Sequence, residues 1–400
     1  MSAGMGIYRD EMEVSYAVDF GRDREPTQKR SRHPEYRRKG SAPARVNGIH
    51  CRRSKRWTWG SGRGARMQNM RAFAGCLAFA VASLAVNAFG VTIDYRTIGN
   101  PGNSANTNGW GAVTDVFKMA ATETTNAQYA AFLNSVDAAG NNTNSIYNSS
   151  MGSNINGGIT FNSGAGSGAK YAVKSGYESR PVTFVTWFSA ARFTNWLNNG
   201  ATGTSSMETG AYTLNNATSG PIVARNAGAQ VFLPSRDEWY KAGFYNGSTY
   251  TTWATNSGTT PTNTVTNLSL ANAANYGSSG TPTTGPIAGG SYTNTTSAYG
   301  LYDMIGNVTE MTDTLNTGNT SQYQQFSGNW NIPTTGIANW NATAAARFAL
   351  GTNSGNALGF RVAAVPEPGT IALAGVGIAG LAGLDWMKRR KKRLAARQSA

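Results

Sequence analysis

The 400-residue chain contains two cysteines and two histidines, and none of the four lies beyond residue 76. They are His33, His50, Cys51 and Cys76. The rest of the chain therefore has no imidazole or thiolate. This excludes Ser-His-Asp and Cys-His catalysis, zinc or iron sites built on those groups, haem ligation and disulfides. Charge is scarce as well, at 14% of residues. The formal net charge of +15 sits at the two ends: residues 1–71 hold 17 basic and 7 acidic side chains, and residues 385–400 hold 7 and 1. The middle, 72–384, holds 11 and 12, close to neutral. A nucleic-acid-binding domain carries its basic footprint on its folded surface, so no nucleic-acid partner is expected.

Long apolar runs are missing too; the two longest stretches are short and lie near the ends. Residues 72–86 follow Arg66 and Arg71 and lead to the small-residue exit Val86-Asn87-Ala88. Positive flank, apolar core and small exit describe a secretory signal peptide over 67–88, cut after Ala88 so that the product starts near Phe89. Residues 1–66 show no sustained apolar period and cannot bury enough surface to fold. They read as a disordered or mis-assigned leader, with translation starting at Met67 or Met70. At the other end, Val365-Pro366-Glu367-Pro368 precedes an apolar stretch at 370–384 and the basic cluster 388–393, with a tail over 394–400. The apolar stretch falls short of the ~17–25 residues of a full span, and its basic flank would stay cytoplasmic. The three elements in this order resemble the PEP-CTERM sorting signal. The resemblance implies recognition at 365–368 by an exosortase-type membrane protease, export to the envelope, cell surface or extracellular matrix, and transient anchoring in the inner membrane.

The middle, 89–364, is rich in Gly, Asn, Thr and Ser with scattered Trp and Tyr, which favours short strands and many turns. Low-complexity loops are expected over 138–168 and 246–297. The glycine-rich piece 164–170 lacks the Gly-Lys-[Ser/Thr] ending of a phosphate loop and reads as a flexible loop. The 124–126 segment caps a helix over 127–136, whose Tyr129, Phe132, Leu133 and Val136 share a face. A strand over 181–185 leads through Thr186 into a helix at 187–197. Ser235 and Glu238 form a capping box for a third helix carrying Trp239 and Ala242 inward.

Five segments then occur in order: Glu123-Thr-Thr-Asn-Ala-Gln-Tyr-Ala-Ala-Phe-Leu133, Arg180-Pro-Val-Thr-Phe-Val-Thr-Trp187, Leu233-Pro-Ser-Arg-Asp-Glu-Trp239, Tyr299-Gly-Leu-Tyr-Asp-Met-Ile-Gly-Asn-Val-Thr-Glu310 and Gly359-Phe-Arg361. Together they resemble the formylglycine-generating enzyme, or sulfatase-modifying factor, family. The resemblance implies an α+β, irregular C-type-lectin-like fold with small twisted sheets, few helices, long loops and bound calcium. It would place one calcium on the carboxylates of Asp303 and Glu310 with carbonyls of Gly306 and Val308, and a second near Asn275 and Tyr276. Thr309 and Met311 stand where the family carries Trp on either side of the Glu. The family's oxidase holds copper with two cysteines between the turn Ser327-Gly328-Asn329-Trp330 and the segment Ala345-Ala346-Arg347. Here that interval, 331–344, has no cysteine, so no copper is expected.

Two functions follow. One is a non-catalytic exported module that binds a surface polysaccharide or another envelope component. The other is an enzyme of unknown reaction using the family cleft beside Asn329, Trp330 and Arg347. No nucleophile or base can be assigned to it.

Overall fold

The apolar positions of the middle segment are collected by two four-stranded sheets and three longer helices in a computed structural model of the chain. The structure describes residues 91–255, 259–277, 285–333 and 347–367, all within the unit Ala74–Ala400. The expected leader, the signal peptide, Pro368 and the rest of the sorting tail lie outside the described residues. No helix among the described residues is long and apolar enough to cross a membrane.

Helix α1, Asn126–Val136, starts at Thr125, whose side chain accepts from the Gln128 amide while Gln128 returns a bond to the Thr125 backbone. Helix α2 is a single turn, Ser150–Ser153. Helix α3, Trp187–Asn198, is capped by Thr186. Helix α4, Arg236–Phe244, has the expected box, with the Ser235 amide donating to Glu238 at 2.6 Å and the Glu238 amide to Ser235 Oγ at 3.2 Å. These reciprocal bonds satisfy amides that a helix start leaves open. The buried face of α1 meets that of α3 through Tyr129, Phe132, Phe193 and Trp196, with Phe360 closing the cluster at 5.5 Å from Phe193.

The first sheet contains β1 (Tyr95–Ile98), β2 (Phe117–Ala120), β5 (Val231–Phe232) and β12 (Ala363–Ala364), in the order β1-β2-β12-β5, every pairing antiparallel. The second contains β8 (Thr309–Asn316), β9 (Asn319–Phe326), β10 (Arg347–Leu350) and β11 (Leu358–Gly359), in the order β10-β9-β8-β11, with β11 parallel to β8. Among the described residues there are also two two-stranded pieces: β3 (Ile159–Phe161) with β4 (Tyr171–Val173), and β6 (Thr262–Asn263) with β7 (Ala273–Ala274). The expected 138–168 and 246–297 loops thus carry a helical turn and short strands between long turns.

One expectation needs correction. Residues 181–185 do not form a strand. Pro181 makes a single bridge to Thr125, and Phe184 takes φ +61°, which breaks extended pairing and lets its amide reach Gly355 O at 2.9 Å.

The segment 358–364 crosses from one sheet to the other. It leaves the second sheet as β11, and Phe360 and Val362 are buried, with their carbonyls accepting from Thr124 and Ala120 at 2.8 and 2.9 Å. It then enters the first sheet as β12. Arg361 lies at the middle of this crossing.

Candidate functional site

The loop before β8 turns sharply because Asp303, Gly306 and Asn307 all adopt positive φ, at 57°, 83° and 56°. Gly306 is required by its neighbour: a Cβ there would lie 2.4 Å from the Asn275 carbonyl oxygen. The loop delivers Asn307 into the interior with a complete set of bonds. Its amide nitrogen donates to Glu123 Oε1 at 3.0 Å and Ile287 O at 3.3 Å. Its oxygen accepts from Asn275 Nδ2 at 3.1 Å and the Ile287 amide at 2.9 Å.

Beyond the loop, Glu310 is fully buried and faces Arg361, also fully buried. Arg361 Nε and Nη2 each donate to a Glu310 oxygen at 2.6 Å. The other guanidinium hydrogens go to the carbonyls of Ala120, Ala121 and Tyr302, so all five donors of the fork are used. Trp239 Nε1 adds a third donor to Glu310 at 2.7 Å. A buried ion pair survives desolvation only with such saturation.

Two more carboxyls share this interior. Asp303 accepts from the Gly290 amide at 2.7 Å. Burial pushes its pKa up to about 6, against the Gly290 bond and Arg361, which pull it down. Burial, then the charge of Asp303, holds Glu123 well above the usual carboxylate range, and Glu123 Oε2 is buried without a partner. Three carboxyls thus face one guanidinium.

Asp303 is turned to a backbone amide, Glu310 to a guanidinium and an indole, and the Gly306 carbonyl accepts from Ser327 Oγ at 2.9 Å. Val308 is buried beside them. Tyr276 donates its hydroxyl to Pro261 O, and Asn275 keeps one buried oxygen, Oδ1, without a partner. Calcium takes six to eight oxygens, and a guanidinium on both Glu310 oxygens opposes a cation. As arranged, this donor set does not fit the ion. Among the described residues no three His, Cys, Asp or Glu side chains are grouped to hold a metal.

The residues expected at the cleft separate into three situations. Asn329 does line a cavity of about 330 Å³, with Thr309, Gln325, Phe348, Ala349 and the turn 353–358. Its amide donates to Thr309 Oγ1 at 2.8 Å and its oxygen accepts from the Asn331 amide at 2.9 Å. Trp330 turns inward, its indole bonded to Asn356 O at 3.1 Å. Arg347 opens β10 opposite Gln325 and is exposed. The described lining of the cavity holds hydroxyls, amides and apolar groups and no ionisable side chain. Residues 334–346, most of the interval where the family carries its cysteines, lie outside the described residues.

Beside the first sheet, the sorting residues leave directly from β12. The Val365 amide bonds to Gln230 O at 3.0 Å, and Lys118 reaches Glu367 at 3.5 Å, with Pro366 between them exposed.

In the sequence Glu123 and Arg361 stand only as members of two separate motifs. Their shared role has a faint signal: a lone Arg within an otherwise apolar Gly-Phe-Arg-Val-Ala-Ala run has to find a buried acid. No local signal marks the network in which Arg225 bridges Asp313 at 2.8 Å and Glu238 at 2.7 Å while lying 3.7 Å over the Phe232 ring. Those partners are separated by up to 88 positions.

Residues 102–365 match the model of the sulfatase-modifying factor enzyme 1-like domain. The chain belongs to that family. The sulfatase-modifying-factor-like domain is followed by a match to the PEP-CTERM protein-sorting motif over 364–391, which marks an exported, envelope-associated protein processed by an exosortase-type system. No curated protein matches the chain at a significant level. Among solved structures, Treponema denticola variable protein 1 is 19% identical with a TM-score of 0.45, covering 69% of this chain and 96% of its own. CarF is 19% identical, TM-score 0.44, covering 69% and 99%. PvdO from Pseudomonas aeruginosa is 16% identical, TM-score 0.37, covering 69% and 93%.

Proposed function

We propose that this sulfatase-modifying-factor-like protein is an exported binding module that has lost the family's oxidative chemistry. The observation that carries the reading is the absence of any cysteine or histidine after Cys76, joined by a cleft whose described lining has no ionisable group. Copper oxidation needs thiolate to select and hold Cu(I), and general acid–base chemistry needs a titrating side chain within hydrogen-bond reach. Hydroxyls, amides and aromatic rings support binding instead, with a surface polysaccharide or another envelope component as ligand. The signal peptide at 67–88 would start export, and the apolar stretch at 370–384 would hold the chain at the inner membrane until the exosortase-type protease acts near 365–368.

The test is an aldehyde assay. Purified full-length protein is incubated with a cysteine-containing sulfatase peptide, copper, oxygen and a thiol reductant, and the peptide is read by mass spectrometry. No aldehyde above the protein-free control is expected. Aldehyde formation would overturn the reading and restore the alternative of an enzyme using the family cleft.

A further inference from the structure

A second cavity, far along the chain from the motifs of the family cleft, has a lining of one chemical kind. It measures about 440 Å³, is open to solvent on one side and is bounded by the loop 104–107, the end of α4 and the turn 248–252. That volume falls in the ~300–1,000 Å³ range of small-molecule sites. Every lining residue is Ser, Thr, Asn, Ala or Tyr, so no charged side chain faces the space.

Three tyrosines form its aromatic wall. Tyr240 is buried, and Tyr245 and Tyr250 are half-buried. The Tyr240 and Tyr250 rings are 5.4 Å apart, and Tyr250 and Tyr245 5.0 Å apart. The wall is held from behind. Asn103 Nδ2 donates to the Tyr250 hydroxyl at 2.8 Å, and that hydroxyl donates to Ser104 O at 3.1 Å. Asn106 Nδ2 donates to the Tyr240 hydroxyl at 2.5 Å. Gly111, at φ +88°, lets the Tyr250 ring pack close, since a Cβ there would meet its hydroxyl at 2.4 Å. The opposite lip is equally fixed: the Ser248 and Thr249 amides both donate to Asn246 Oδ1, and Thr251 Oγ1 bridges to the Phe244 and Trp253 carbonyls. Burial and then Tyr245 push the Tyr250 pKa up to about 12, so its hydroxyl stays neutral. Among the described residues the hydroxyls of Tyr245, Thr249 and Thr252 take no protein partner. They remain for a ligand.

The chemistry of the wall selects the ligand class. A phosphate or carboxylate would find no Lys or Arg in the lining, and a cation no Asp or Glu. An aliphatic ligand would meet too many hydroxyls that need partners. A pyranose ring suits both halves of the wall, with an apolar C–H face for the tyrosine rings and an edge of hydroxyls for Ser, Thr and Asn. We propose that the cavity between loop 104–107 and turn 248–252 is a binding site for a neutral saccharide unit, with Tyr245 and Tyr250 as its stacking platform. The inference rests on the binding-module reading and adds a site and a ligand class. The aldehyde assay tests that reading separately, because nothing at this cavity enters it.

The test uses the full-length protein and four neutral trisaccharides as probes: maltotriose, cellotriose, mannotriose and tri-N-acetylchitotriose. Titration calorimetry and protein-observed NMR are expected to show at least one binding, with shifts centred on Tyr245, Tyr250 and Thr249. Tyr245→Ala should weaken that binding about tenfold, the scale of one lost aromatic contact with its buried area. Thr252→Trp, at an exposed lip position, should block it with the fold intact. An anionic uronic-acid trimer should bind more weakly than the neutral ligand. The inference fails if none of the four neutral probes binds. It fails equally if binding is unchanged in both variants, or if the uronic-acid trimer binds as tightly.

Discussion

Arg361 shows what one side chain can hold. Its guanidinium ties the Glu310 carboxylate to the carbonyls of Ala120, Ala121 and Tyr302, and so joins β8, β2 and the loop before β8. Arg361→Ala would leave the buried Glu310 carboxyl with only the Trp239 indole as partner. The expected cost is about 3–5 kcal/mol, read as a lower denaturation midpoint in urea. Lys118→Ala removes a pair whose acid, Glu367, is 90% exposed, and should leave the midpoint unchanged. The surplus carboxyls make a second prediction. Asp303 has its pKa raised to about 6 in the folded protein, so the folded state binds its proton more tightly than the unfolded chain does. This contribution is full below the ordinary carboxylate pKa of about 4 and is lost as pH rises through about 6. Glu123 shifts in the same direction. Thermal melts should therefore gain stability between pH 7 and pH 5, and Asp303→Asn should flatten that slope.

At the scale of elements, helix starts were legible because their signals are local. Thr186 and the Ser235–Glu238 pair each stand within three positions of the amides they satisfy. Ser235→Ala should cost about 1 kcal/mol, visible as a modest fall in melting temperature. The apolar run 181–185 reads as a strand in the sequence, while the positive φ falls on Phe184, a residue with no turn preference. Strands β5, β11 and β12 are two residues each, too short for any period to register. The loop before β8 was legible as a motif but not as chemistry, since its carboxylates meet donors from distant segments: Gly290, Trp239 and Arg361. The arrangement predicts a melting temperature unmoved by millimolar calcium. A rise that Asp303→Ala abolishes would show that Glu310 exchanges its guanidinium for the ion.

For the whole molecule, composition and motif order foretold the family and the exported class, and the pairing of sheets lay beyond them. The sorting signal gives a prediction at this scale. Replacing Pro366, Glu367 and Pro368 together by alanine should retain the protein at the inner membrane, checked by fractionation and size. Release at the normal size would refute its role. The position of β12 has its own consequence. Ala363 and Ala364 fill a slot between β2 and β5, so the first sheet stays open like an unfastened seam until the last stretch before the sorting motif has arrived. In a chain exported amino end first, that sheet would close only once residues 363–364 had crossed. Cutting on the far side of β12 releases a finished object. Cutting only a few residues earlier would release one with two raw strand edges, ready to stick to its neighbours.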